Sequence, residues 1–368
     1  MEKKPIIVGI TQGDINGIGY EVIIKALSDP SITDLCVPIV YGSPKIAAYH
    51  RKVLNISNFS FNNIRSADEA NHKRANMINC CSDEVRVELG KSTPEGGEAA
   101  LASLNMATDD LLKGKIDVLV TAPIDKHNIQ SETFHYHGHT DYLKARAGAT
   151  EALMFMVSES MKIGFVTEHI PVKDISASIT GDLILKKLRL MNQSLLEDFG
   201  IRRPHIAVMA LNPHAGDNGL LGTEESEIII PAINKANEEG IFAFGPYAAD
   251  GLFGAGLFAR FDGILSMYHD QGLSAFKALA FDTGVNYTAG LPVIRTSPVH
   301  GTAFDIVGKG EASENSFRRA LYVACDIYRY RKDYAEMIKN PLQHQHIDTH
   351  ADRSDELPPE IENNDHAL

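Results

Sequence analysis

Three apolar runs in this chain each stop within three residues of a histidine. Ile163–Thr167 leads into Glu168-His169, Ile206–Leu211 into Asn212-Pro-His214, and Gly263–Tyr268 directly into His269-Asp270. Short apolar runs bounded by polar turns read as buried strands. In open α/β sheets, ligands bind outside the carboxyl ends of the strands. A chain with this pattern is therefore constrained to deliver three imidazoles to strand ends. Neutral imidazoles from separate strands can share one divalent metal and leave a position open for a substrate oxygen. One such histidine is more often structural. Three at equivalent positions leave the metal site and the structural reading evenly matched.

The rest of the chain repeats the grammar. Strands are expected at Pro5–Ile10, Cys36–Tyr41, Ile116–Ala122 and Ala152–Ser158. Helical patterns are expected from Tyr20 to Leu27 and over 98–113, 181–198, 223–238 and 313–331. Ser43 is placed to cap a helix that has Pro44 at its first position. Alternating strands and helices predict α/β architecture with parallel strands. From about Asn340 the pattern changes to Gln-His-Gln-His, Pro358-Pro359 and many acidic residues, so 340–368 is expected to be a mobile acidic tail. His344 and His346 could bind metal weakly, but a solvated tail is the preferred reading.

With 368 residues, 44% of them hydrophobic, the chain can build one large core or two ordinary ones. Its net charge of −13 argues against nucleic acid or anionic membrane as partner, since both need positive charge. There is no apolar run of about eighteen residues to span a bilayer. The N-terminus lacks a signal-peptide pattern, so cytoplasmic residence is expected. Cys36, Cys80, Cys81 and Cys325 form no C-x-x-C pair and are expected as reduced thiols.

Two glycine-rich stretches invite nucleotide readings. Gly9, Gly13, Gly17 and Gly19 miss the G-x-G-x-x-G spacing. That loop is either a tight turn or a backbone approach to a ligand, and spacing does not choose. Gly90-Lys-Ser-Thr93 resembles the end of a P-loop, but Val85 stands where the upstream glycine is required, so an NTPase is rejected. Phe134-His-Tyr-His-Gly-His-Thr140 could bind metal, offer donors to an anion, or be a solvated loop. Lys277, Asn286 and Arg295 would ordinarily be surface residues, yet Arg295 after Pro-Val-Ile suits bidentate binding of phosphate or carboxylate. By spacing alone, Val299–Gly310 is only a loop.

Taken together, Thr121-Ala-Pro-Ile-Asp-Lys126, Gly138-His-Thr140, Leu211-Asn-Pro-His-Ala-Gly216, Gly222-Thr-Glu-Glu225, Met267-Tyr-His-Asp-Gln-Gly-Leu273 and Gly290-Leu-Pro-Val-Ile-Arg-Thr296 resemble the 4-hydroxythreonine-4-phosphate dehydrogenase family of pyridoxal phosphate biosynthesis. The resemblance runs from about Ile7 to about Ala324. It implies NAD- or NADP-dependent oxidation of 4-phosphohydroxy-L-threonine at C3. The β-keto acid so formed decarboxylates to 3-amino-2-oxopropyl phosphate. It implies His169, His214 and His269 as ligands of one divalent metal (zinc, magnesium or cobalt), in a site shared between the subunits of a homodimer. His139, Thr140, Lys277, Asn286 and Arg295 match the family's substrate contacts, and His300, Gly301, Thr302, Ala303 and Asp305 are expected at the cofactor. No protein general base is identified.

The implied fold is the two-lobed α/β fold of isocitrate and isopropylmalate dehydrogenases, with a cleft. Residues 1–128 and 300–332 would form the cofactor lobe, and 129–299 the metal, substrate and dimerisation lobe. Gln12, Asp14, Ile15, Asn16, Asp125 and Asp141 depart from common family forms without removing a proposed ligand. They leave two alternatives open. One is a dehydrogenase of D-threonate or D-erythronate 4-phosphate; the other is a non-catalytic phosphometabolite- or metal-binding protein.

Overall fold

The structure, a computed structural model, describes residues 4–340 except Asp83. The expected tail beyond 340 lies outside the described residues. Strands β1 (Ile7–Thr11), β2 (Val37–Gly42), β3 (Asn62–Ile64), β4 (Asn76–Asn79), β5 (Val118–Thr121) and β6 (Leu153–Val157) come first. They are followed by β7 (Lys162–Thr167), β8 (His205–Met209), β9 (Phe242–Tyr247), β10 (Gly263–Tyr268), β11 (Val285–Ala289) and β12 (Arg295–Pro298). All twelve belong to one sheet in the order β3-β4-β2-β1-β5-β12-β11-β6-β7-β10-β8-β9.

The α/β class is as expected, but the sheet is mixed rather than parallel. From β3 to β12 all neighbours are parallel, as are those from β7 to β9. Between these blocks, β12–β11, β11–β6 and β6–β7 are antiparallel. The two parallel blocks therefore run in opposite directions, joined by an antiparallel seam.

Local chemistry accounts for the element ends. Ser43 Oγ accepts from Ile46 N, capping Pro44–Val53 as expected. The helix expected from residue 98 begins earlier, at Pro94, with Thr93 as its cap. Gly97 inside it is required by close approach, since a Cβ there would stand 2.1 Å from the Asn128 carbonyl oxygen. Helices Gly181–Glu197 and Asn315–Met337 pack on the sheet, with Leu188, Met191, Phe317 and Leu321 buried in its core. The four cysteines are free. Among the described residues no helix is long and apolar enough to cross a membrane.

Candidate active site

The antiparallel seam forms the floor of a cavity of ≈ 440 Å³. Asn286 on β11 pairs with Ser297 on β12 and with Met156 on β6, so the three share one face. Two residues along, Thr288 and Met154 share it as well. The walls are strand ends: Thr121 closes β5, Glu168 and His169 follow β7, and His269 follows β10.

Arg295 is the most unusual floor residue. It is 3% exposed, and no ion pair among the described residues includes it. Its Nε and Nη2 both donate to Thr121 Oγ1, at 3.0 and 2.7 Å, and Nη1 donates to Thr288 Oγ1 at 3.4 Å. Thr140 Oγ1 lies 3.3 Å from Thr288 Oγ1. Burial pulls the guanidinium down to about 9. A buried cation without a counter-charge is costly, and an anion in the cavity would relieve that cost.

Other groups face the same space without partners. His139 Nε2, Asn286 Oδ1 and His300 Nε2 are buried with no hydrogen-bond partner. Burial, then the charges of Arg295 and Lys126, hold His139 well below the usual histidine range. His300 is lowered chiefly by burial, with Lys277 adding to it. Open buried donors and acceptors around an unpaired cation describe a polar binding site rather than a packed core.

The three strand-end imidazoles do not stay together. His169 and His269 have ring centroids 5.4 Å apart. Burial lowers His169 from its ordinary value, and Lys126 adds to that. His269 Nδ1 meets Asp270 Oδ1 at 2.6 Å, which leaves Nε2 free to face the cavity as an acceptor. His214, however, is exposed and does not line the cavity. It opens the turn Pro213–Gly219, in which His214, Ala215, Gly216, Asp217 and Asn218 all have positive φ. The buried Glu225 carboxylate anchors that turn, accepting from Leu211 N at 2.8 Å and Asn212 N at 2.7 Å. Among the described residues no cluster of three metal-ligating side chains forms within the chain.

Of the other expected residues, Thr140, Lys277 and Gly301 also line the cavity, whereas Thr302, Ala303 and Asp305 do not. The glycine-rich loop after β1 is buried and does not line the cavity itself, but packs behind Ala122 and Pro123, which do. Its role is support: Asp14 N donates to the Pro123 carbonyl and Ile18 N to the Thr302 carbonyl. A Cβ on Gly17 would stand 2.8 Å from Thr302 O, so the loop fits closely beneath the 301–305 segment. The tight-turn reading is the one the structure favours, with Gly13 at φ +69°. Thr121, Thr288, Glu168 and Lys126 were not singled out for the site. For Thr121 a signal existed, since it lies one residue from the end of the expected strand Ile116–Ala122; Thr288 sits in a strand too polar to read.

The family model described as pyridoxal phosphate biosynthetic protein PdxA matches residues 34–324. The chain is 55% identical to a 4-hydroxythreonine-4-phosphate dehydrogenase of Bacteroides thetaiotaomicron, covering 97% of this chain and 98% of that one. It is 40% identical to a candidate D-threonate 4-phosphate dehydrogenase of Cutibacterium acnes, covering 90% of this chain and 96% of that one. A crystal structure of a 4-hydroxythreonine-4-phosphate dehydrogenase from Burkholderia phymatum superposes with a TM-score of 0.73 at 36% identity, covering 88% of this chain and 99% of that one.

Proposed function

This chain belongs to the family of pyridoxal phosphate biosynthetic protein PdxA, and on that premise we propose that it oxidises 4-phosphohydroxy-L-threonine at C3 in vitamin B6 synthesis. It is a dehydrogenase, and dehydrogenation in this family draws on a nicotinamide cofactor. One observation carries the substrate reading: Arg295 lies buried and uncompensated among hydroxyls, in the same cavity as two facing imidazoles. That combination suits a small molecule with an anionic end and a hydroxyl to be oxidised.

In this reading Arg295, Lys277, His139, Thr140 and Asn286 bind the substrate. Arg295 meets an anionic group through its planar fork. Asn286 Oδ1 and His139 Nε2 acquire the partners they lack. A nicotinamide cofactor, when bound, would supply the hydride acceptor for C3, and the hydroxyl proton would leave to solvent or a base. The resulting β-keto acid loses CO2, its electrons drawn into the ketone, and protonation at C2 gives 3-amino-2-oxopropyl phosphate. His300, Gly301, Thr302, Ala303 and Asp305 hold the cofactor, NAD or NADP.

His169 and His269 fit a divalent metal, with Asp270 fixing the His269 tautomer. His214 of a second copy would complete the set at the interface of a homodimer. Exposed Val172 (80%) and Leu220 (78%), near the His169 and His214 segments, support an apolar interface there. When bound, zinc, magnesium or cobalt supplies Lewis acidity beside the substrate hydroxyl. The proposed lobes are 1–128 with 300–332 for the cofactor and 129–299 for substrate and dimerisation. Four free cysteines suit a reducing, cytoplasmic setting.

The Cutibacterium acnes relative favours a second reading, oxidation of D-threonate 4-phosphate at the same site. NADH formation with 4-phosphohydroxy-L-threonine, D-threonate 4-phosphate and D-erythronate 4-phosphate, with NAD and a divalent metal, separates the two. Preference for the amino acid phosphate is expected. Preference for a sugar-acid phosphate would move the enzyme to carbon catabolism, and no turnover of any would revive a binding-only role.

A further inference from the structure

The cavity contains one more cation, on a motif whose part in the chemistry is open. Lys126 ends Thr121-Ala-Pro-Ile-Asp-Lys126, the turn that follows β5, and it lines the cavity. Its stem is located by Gly138, where a Cβ would meet Lys126 Cε at 3.6 Å. Gly138 is the N-cap of helix His139–Arg146. The end of the Lys126 stem therefore lies beside the positive end of a helix, a place that favours anions and disfavours a second cation.

An exposed lysine is normally a solvated surface charge. Three observations set this one apart. No ion pair among the described residues includes Lys126, although Asp141 and Glu168 line the same cavity. Glu168 is engaged elsewhere, 3.7 Å from Lys187 Nζ and accepting from Met154 N. The charges of Lys126 and Arg295 both bear on His139, whose buried Nε2 has no hydrogen-bond partner. Two unpaired cations, a helix start and an open imidazole thus surround one space. The substrate proposed above carries a phosphate of about −1.5 to −2 charge and a carboxylate, so Arg295 and Lys277 together leave negative charge unmatched.

We infer that Lys126 is a substrate-binding residue whose ammonium pairs with an anionic oxygen of the substrate, on its phosphate or its carboxylate. This rests on the proposed function for the identity of the substrate, but not for the presence of an anion. Lysine suits a site at the mouth, because its flexible stem can follow the anion as it enters.

The test compares wild type, Lys126→Met and Lys126→Arg, each with NAD and divalent metal. Loss of one charge-assisted hydrogen bond should raise KM for the preferred substrate about 10-fold or more in Lys126→Met, with kcat changed less than about 3-fold. Lys126→Arg should recover most of the loss. Inhibition by inorganic phosphate and by L-threonine distinguishes the two sources of the anion: the inhibitor weakened by Lys126→Met names the group that Lys126 meets. An unchanged KM, or a loss confined to kcat, overturns the inference. If wild type turns over none of the phosphorylated substrates, the proposed function fails, and Lys126 is then read by thermal shift. Stabilisation by phosphate or L-threonine that shrinks in Lys126→Met upholds it, and equal stabilisation in both proteins overturns it.

Discussion

The ends of β10 and β8 begin alike and finish differently. The two strands are parallel neighbours in one sheet, and a histidine follows each within a few residues. After β10 the chain enters a helix at once, so His269 is its first residue and stays at the cavity wall. After β8 it enters a left-handed turn, with φ of +54° at His214 and +53° at Ala215, and the imidazole is carried out to solvent. Non-glycine residues resist that conformation, so a run of them implies restraint from outside the turn. Glu225 supplies part of it. The difference teaches that a strand-end histidine need not reach its own chain's cavity, which is why His214 is proposed to act in a second copy.

The largest expected effects break that comparison directly. His269→Ala and His214→Ala should each reduce kcat by about 100-fold or more, because each removes a proposed metal ligand and little core volume. If His214 serves a second copy, co-expressed His214→Ala and His269→Ala chains should regain activity. Half of the dimers would be mixed and each would hold one intact site, giving roughly a quarter of wild-type activity. If His214 served its own chain, every site would lack a ligand and mixing would restore nothing. Activity measured on separately tagged, co-purified mixed dimers decides between them.

His50 sharpens the contrast from the other side, as an imidazole with a purely structural place. It is buried, its ring Nε2 lies 2.8 Å from the Ile15 carbonyl, and burial lowers it to about 4. Below pH 6.5 the unfolded chain takes up a proton that the folded chain refuses, so stability falls as pH drops. The fall ends near pH 4, where the folded form also protonates, and amounts to about 3 kcal/mol. Urea unfolding between pH 4 and 7.5 should show this slope, and His50→Gln should flatten it. The same slope in both proteins would assign it to other groups.

Arg295 comes next in size. Arg295→Met should raise KM about 10- to 100-fold through loss of a charge-assisted contact with the substrate. Its effect on the free protein should go the other way, since the change removes an uncompensated buried charge and retains much of the volume. Stability at pH 7 that is equal to or higher than wild type is expected. A marked drop in Tm with unchanged KM would make Arg295 a structural residue bound to Thr121 and nothing more.

What could be read from sequence follows the same division. Runs such as Ile163–Thr167 and Gly263–Tyr268 were legible because both of their faces are buried, which makes them continuously apolar. Of the seam strands, β6 was legible as the apolar run Ala152–Ser158, but β11 and β12 were not. Asn286 on β11, and Arg295 and Ser297 on β12, point polar groups at the cavity, and Thr288 on β11 accepts from Arg295 behind them, so function erased the pattern that marks a strand. Arg295 was legible as a candidate anion site, but its burial was not. The separation of His214 from His169 and His269 could not be read either, because four non-glycine residues at positive φ follow no local preference.

The smallest effect tests that turn. Ala215 has no side-chain hydrogen bond to lose, and its φ of +53° suits glycine better than any residue with a Cβ. Glycine relieves about 1–2 kcal/mol of left-handed strain but loses about 0.5–1 kcal/mol through the greater freedom of the unfolded chain. Ala215→Gly should therefore stabilise the protein by up to about 1 kcal/mol. Gly216→Ala should do the opposite, since its Cβ would stand 2.7 Å from Glu225 Oε2 as well as at positive φ. Activity offers the sharper reading. A turn restrained only to hold His214 outward should tolerate Ala215→Gly in stability yet lose some kcat as the imidazole becomes less fixed. Unchanged kcat with raised stability would mean that the second copy, not the turn, sets the position of His214.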